Sequence, residues 1–135
     1  MNQIKFADNR MELVPIHSLE GEEKNTALKQ CVQILNFEWP RSDTIRLRGL
    51  QSSSEKLPCN LVLLIRDNAK ISVIGHSRIS RIPADDSQVF VESVVIHPNL
   101  RGKGLGKILM LKTEEYCMGR GFTSSYLTTH DQQVR

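Results

Sequence analysis

Val94-Val95-Ile96-His97-Pro98-Asn99-Leu100-Arg101-Gly102-Lys103-Gly104-Leu105-Gly106-Lys107 is the stretch on which the reading of this chain turns. A β-branched run leads into it, and apolar residues at Leu105, Ile108, Leu109 and Tyr116 lead out at helical spacing, with Gly119 or Gly121 as the stop. Gly102, Gly104 and Gly106 remove every second side chain, so backbone N–H groups can approach a ligand closely. They stand at a helix N-terminus, which carries unpaired donors and a partial positive charge. With Arg101, Lys103 and Lys107 beside it, the turn suits a pyrophosphate. A bare Gly-x-Gly-x-Gly is also what a plain surface turn with solvated basic residues looks like, so the strand before it and the helix after it carry the argument. It is not a G-x-x-x-x-G-K-[ST] loop, and it follows a meander rather than the first strand of a parallel dinucleotide-binding unit.

Working outward, three β-rich segments precede the turn: Asn60 to Arg66, Ile71 to Ile82 and Val89 to His97. Asp67-Asn68 joins the first two, and Pro83 to Ser87 separates the second from the third. Upstream, Leu28, Cys31, Val32 and Leu35 mark one buried helix stripe that starts near Glu22 and stops near Asn36 to Glu38, because Pro40 forces Trp39 out of the helical region. Ser42 or Asp43 caps a second, short helix carrying Ile45, Leu47 and Leu50, and a polar loop, Gln51 to Lys56, follows it. Met11 to Ile16 reads as a first short strand broken near Pro15, and Ser124 to Thr129 as a last one. The order is β-α-α-β-β-β-α-β. A strand-helix-strand crossover is parallel, so the Val89 and Ser124 segments run parallel at or near adjacency, and the sheet is mixed: an α/β (α+β) domain.

At 135 residues, 39% hydrophobic and 24% charged, the chain has the size and apolar content of one folded domain. The longest aliphatic run, Leu61 to Ile65, is far short of a membrane span, and Met1 to Arg10 has no signal-peptide core. Cys31, Cys59 and Cys117 form no C-x-x-C pair and read as reduced thiols of a cytoplasmic protein, with no metal site. A net charge of +3 is too small to indicate nucleic acid.

Val94 to Pro98 followed by Arg101-x-x-Gly104-x-Gly106 resembles the acetyl-CoA-binding motif, R/Q-x-x-G-x-G/A, of the GNAT superfamily of N-acetyltransferases. The resemblance implies a single GNAT-fold domain over 11–135 with acetyl-CoA as cofactor. It implies backbone pairing of Val94, Val95 and Ile96 with the pantetheine arm, and a pyrophosphate on Arg101, Gly102, Lys103, Gly104, Leu105, Gly106 and Lys107. It also implies a further helix and two strands beyond Arg135, the helix bearing a tyrosine that protonates the departing thiolate. Within that superfamily, Phe37 to Ser42, Arg46-Leu47, Gly75 to Arg81, Val91 to Val95 and Leu127 to Asp131 resemble the N-terminal acetyltransferases of actin (NatH type). That likeness implies acetylation of the α-amine of an Asp- or Glu-rich N-terminus, that of processed actin, with the actin-binding protein profilin as an accessory partner, and neither nucleic acid nor membrane.

Trp39 stands in the connection between the two early helices with Arg41, Arg46 and Arg48 behind it. It is either a core plug or part of an acidic-peptide cradle, in which guanidinium forks grip carboxylates bidentately. The family resemblance puts this connection on the peptide side of the cleft, which makes Trp39, Arg41, Ser42, Thr44 and Arg46, with Thr128 from the last strand, the substrate contacts. Arg78 and Arg81 on the third of the five strands can extend the patch.

Acetyl transfer to an amine needs a proton acceptor, and Glu92 is one candidate. By simple alternation it shares a strand face with Val94 and Ile96, opposite Ser93 and His97. Burial would raise its basicity there; the alternative is a pairing with an arginine such as Arg78. His130 is the second candidate, at a place where many family members carry Asn. His97 packs or touches cofactor, and His17 and His76 are structural. Two other functions fit the same residues: a GNAT enzyme acting on a small amine or a lysine side chain, and a non-catalytic acyl-CoA-binding interaction module.

Overall fold

The structure, a computed structural model, describes residues 10–122 and the backbone of 124–127. Five strands, β1 (Met11–Pro15), β2 (Cys59–Asp67), β3 (Lys70–Ile82), β4 (Asp85–Ile96) and β5 (Ser124–Leu127), form one sheet in the order β1-β2-β3-β4-β5. The first four pair antiparallel, and β4 pairs with β5 in parallel from Gln88↔Ser124 to Val91↔Leu127, the expected consequence of the crossover. The Pro83 to Ser87 separator is tighter than expected. Ala84 takes a left-handed φ of 69°, so the chain reverses in two residues and β4 begins at Asp85.

Helices α1 (Gly21–Glu38) and α2 (Asp43–Gln51) cover one face of the sheet. Glu22 and Glu23 occupy the first turn of α1, where the helix dipole favours negative charge. Its stripe of Ala27, Leu28, Cys31, Val32, Ile34 and Leu35 is buried with Val62, Leu64, Val73 and Val95 of the sheet. Ser42 caps α2 as expected, its Oγ accepting from the Ile45 N–H at 3.1 Å. Only Leu50 of α2 is buried; Ile45 and Leu47 face outward. The Gln51 to Lys56 loop is tied rather than loose: Ser53 Oγ accepts from Asn60 N and pairs with His17 Nδ1, and Arg120 donates to the Glu55 carbonyl.

On the other face lies α3 (Leu105–Gly119). Leu105 and Leu109 pack with Leu63, Val91, Val94 and Ile96, and Cys117 with Cys59, Leu61, Ile79 and Val89. The helix approaches β3 closely at Gly75, where a Cβ would stand 2.9 Å from Ile96 Cδ1 and 3.3 Å from Leu109 Cδ2. The three thiols are free and buried, and burial pushes Cys31 up to about 12 and Cys117 to about 11, so neither supplies a thiolate. No helix among the described residues is long and apolar enough to cross a membrane.

Candidate active site

A bulge decides what β4 presents. Arg78 pairs with Glu92 and His76 with Val95, so Ser93 and Val94 together stand opposite the single residue Ser77. Ser93 takes φ 53°, a left-handed value uncommon for any residue but glycine, at the point where the ladder is disrupted. The extra residue shifts the alternation by one. Val94 and Ile96 face α3, Val95 faces α1, and Glu92 lies on the side of α1 and α2, where its carboxylate meets Arg78 and Ser80. This corrects the expectation that Glu92 shares a face with Val94 and Ile96. Strand alternation places a side chain only while the ladder is regular.

On the α1–α2 side the polar residues converge. Arg41, Arg46, Arg78, Asn60, His76 and Ser93, together with Leu35, Ile45, Gly49 and Leu50, line a cavity of about 280 Å³. Its arginines are differently held. Arg46 donates from Nε to Asn36 Oδ1 at 2.9 Å and from Nη2 to the Trp39 carbonyl, and burial together with the charge of Arg41 pushes it below the usual arginine value. Asn36 fixes the whole connection, also accepting from the Arg41 N–H at 3.0 Å and donating to Asp43 at 2.9 Å. Arg78 stands 3.7 Å from Glu92, too far for a hydrogen bond, and its Nε is buried with no hydrogen-bond partner among the described residues. Glu92 itself accepts from Ser80 Oγ.

The remaining expected substrate residues are placed otherwise. Trp39 is partly buried against the α1 core rather than in the cavity lining. Ser42 spends its hydroxyl on the α2 cap, and neither it nor exposed Thr44 is in the lining. Thr128 and His130 lie outside the described residues.

At the far end of β4, Gly102 and Gly104 both take φ 81°, and beyond the chain neighbours no atom of the described residues stands within 4 Å of where a Cβ would be built on either. The turn is therefore an open cradle that side chains would fill, at the start of α3. Lys103 and Lys107 are exposed beside it, and Gly106 is half-buried. Leu105 is a core residue, 2% exposed, so only its backbone can face a ligand. Arg101 turns away from the glycines: its guanidinium pairs with Glu38 at 2.7 Å, donates to the Ile96 carbonyl at 3.1 Å and lies over the Phe37 ring. It ties the turn to the end of α1. The β4–β5 register runs as far as Val91↔Leu127. Val94, Val95 and Ile96 have buried side chains, so only their backbone could meet a ligand. His97 closes the turn, donating from its N–H to the Ile74 carbonyl and accepting the Asn99 N–H at Nδ1.

A glycine turn at the start of a crossover helix, after an antiparallel meander, is the arrangement that the acetyltransferase resemblance implies. A family model described as the acetyltransferase (GNAT) family matches residues 25–135, and the chain belongs to that family, whose acetyl donor is acetyl-CoA. Mouse N-alpha-acetyltransferase 80 is 40% identical over 108 residues, which are 78% of this chain and 34% of that protein. The chain thus spans about a third of the length of that relative. Among solved structures, the aminoglycoside N-acetyltransferase AAC(6')-Iy in complex with CoA is similar with a TM-score of 0.66 at 18% identity, over 90% of this chain and 78% of that one. The glucosamine-6-phosphate N-acetyltransferase of Arabidopsis thaliana is similar with a TM-score of 0.58 at 15% identity, over 90% and 84%. At such identities these two show the fold.

Proposed function

We propose that this chain is an acetyl-CoA-dependent N-terminal acetyltransferase domain acting on the free α-amine of an acidic protein N-terminus. The cavity lined by Arg41, Arg46 and Arg78 carries the proposal, because three guanidinium groups around about 280 Å³ suit a short run of carboxylates and disfavour a protonated lysine or a cationic sugar. The likeness to mouse N-alpha-acetyltransferase 80 supports a protein N-terminus as substrate. The resemblance to the actin-modifying branch makes processed actin in the cytoplasm, with profilin as accessory partner, the candidate substrate.

Bound acetyl-CoA would supply the thioester carbonyl. The cradle from Arg101 through Lys107 would hold its pyrophosphate by backbone N–H groups with Lys103 and Lys107 nearby, and the resemblance sets its extended arm along the backbone of Val94 to Ile96. Arg41 and Arg46 would hold the substrate's carboxylates, which places its amine toward the bulge. Glu92 would take the amine proton, directly or through water, with Ser80 Oγ and Arg78 fixing the carboxylate. His130 is the alternative acceptor.

Arg41→Ala should lower kcat/KM on an Asp-Asp peptide by roughly ten- to a hundredfold, the loss of one charge-assisted contact. A neutral peptide should barely change. Arg46→Ala should lose at least as much, but it also releases Asn36 and Trp39, so Arg41 is the cleaner probe. Added salt should weaken acidic-peptide capture more than cofactor binding, since Arg41 is exposed. The measurement is kcat/KM on both peptides at two salt concentrations; equal losses on the two would assign the arginines to the fold.

A further inference from the structure

Two groups in the cavity are left incomplete. Among the described residues, Arg78 Nε is a buried donor with no hydrogen-bond acceptor, and the Glu92 carboxylate stands 3.7 Å from it. A buried donor without a partner is costly, and the Arg78 side chain, 36% exposed, lines the cavity, where its guanidinium can meet an incoming carboxylate.

The second is His76, which is 1% exposed and sits between two oxygens. The Ser93 carbonyl lies 2.8 Å from Nδ1 and can only accept; Asn60 Oδ1 lies 2.8 Å from Nε2. A neutral imidazole carries one N–H, so with Nδ1 donating to Ser93 the Nε2 lone pair faces Oδ1. Turning the Asn60 amide over lets its nitrogen donate to Nε2, but then Oδ1 faces the Gly49 carbonyl, which that nitrogen reaches at 3.3 Å in the present orientation. Either way one acceptor faces another while the ring is neutral. A doubly protonated ring removes the conflict.

The surroundings of His76 oppose that proton. Burial, followed by the charges of Arg78 and Arg46, pushes His76 down to about 4, against the raising effect of the Ser93 hydrogen bond. From the other packed elements, Arg41 of the α1–α2 connection adds positive charge to the cavity, the Cys31 thiol of α1 is neutral, and among the described residues Glu92 of β4 brings a carboxylate, already beside Arg78. A second carboxylate at Arg78 would offset the opposing charge.

We infer that Arg78 anchors a substrate carboxylate and that docking there draws a proton from solvent onto His76, so that acidic ligands bind with proton uptake. This rests on the acidic-substrate reading above. The sign follows: His76 is neutral in the free protein above about pH 4 and gains a proton in the complex, so affinity rises as pH falls toward that value and declines as pH rises through the pKa of the complex.

The test is calorimetric titration, with CoA present, of an N-acetylated Asp-Asp peptide amide and a neutral analogue, near pH 6 in two buffers of different ionisation enthalpy. Acetylation removes the α-amine, and free Asp carboxylates are already ionised there, with pKa values of about 4. The wild type should bind the acidic peptide more tightly and take up as much as one proton. Arg78→Gln should lose about tenfold or more on the acidic peptide only. His76→Gln keeps a donor for Ser93 but cannot titrate, and should retain most of the affinity while losing the buffer dependence. Direct observation of the His76 ring by NMR, free and bound, reads the same proton without a variant. Equal wild-type affinity for both peptides overturns the acidic-substrate reading and this inference with it. An acidic preference without proton uptake, or with uptake unchanged in His76→Gln, or with Arg78→Gln unaffected, overturns this inference alone.

Discussion

Exchanging Glu92 for Gln should lower kcat by about 100-fold or more while leaving acetyl-CoA affinity unchanged, the usual scale for removing a general base. The exchange keeps the side chain's size, and the amide oxygen can still accept from Ser80 Oγ, so the strand register around Arg78 need not move. What disappears is the ability to hold the proton that the amine gives up. KM for an acidic peptide should not rise, because Arg78 loses a competing carboxylate rather than a substrate contact. The loss should therefore fall on kcat. Steady-state kinetics across pH, with cofactor affinity measured separately, decides the matter. Wild-type turnover at every pH would remove Glu92 from the mechanism and shift the role to His130.

Gly104→Val should weaken acetyl-CoA binding by at least about 100-fold, or about 2.7 kcal/mol. Two effects combine. The φ of 81° at the N-cap of α3 is a conformation a β-branched residue resists, so the turn and its N–H groups would be displaced. The isopropyl group would also project into space that, beyond the chain neighbours, holds no atom of the described residues within 4 Å, the space proposed for the pyrophosphate. Calorimetry with acetyl-CoA reads the first-order result, and the thermal midpoint reads any wider unfolding. Unchanged affinity in a folded variant would remove the pyrophosphate from this turn.

The sequence was most legible where local chemistry and periodicity agree. The stripe of Leu28, Cys31, Val32 and Leu35, the Pro40 stop and the Ser42 cap give α1 and α2 to within a residue or two, and the crossover rule gives the parallel pairing of β4 with β5. The glycine turn was legible because glycines at 102 and 104 are needed for their left-handed φ. The Ser93 bulge was not. Nothing in Glu92-Ser93-Val94 marks a break, since serine carries no conformational signal for φ 53°, and the face of Glu92 was inverted as a result. Ala84 hid the tight β3–β4 turn for the same reason. The pairing of Arg101 with Glu38 could not be read from the sequence, because the two stand 63 residues apart in the chain. Asn36, Asn60 and His76 were missed as site residues because their hydrogen bonds join separate elements, although Asn60, His76 and Arg78 fall at polar positions in otherwise apolar strands.

The most direct test of the central claim is a mass-spectrometric screen in which the protein, acetyl-CoA and a panel of peptides with varied first residues are combined, each peptide free or blocked at its α-amine and each carrying an internal lysine. The predicted result is acetylation of the α-amine of Asp- and Glu-headed peptides well ahead of neutral or basic ones, with release of CoA thiol and no product from blocked peptides. Acetylation of the lysine in blocked peptides, or an equal rate on acidic and basic N-termini, would contradict it.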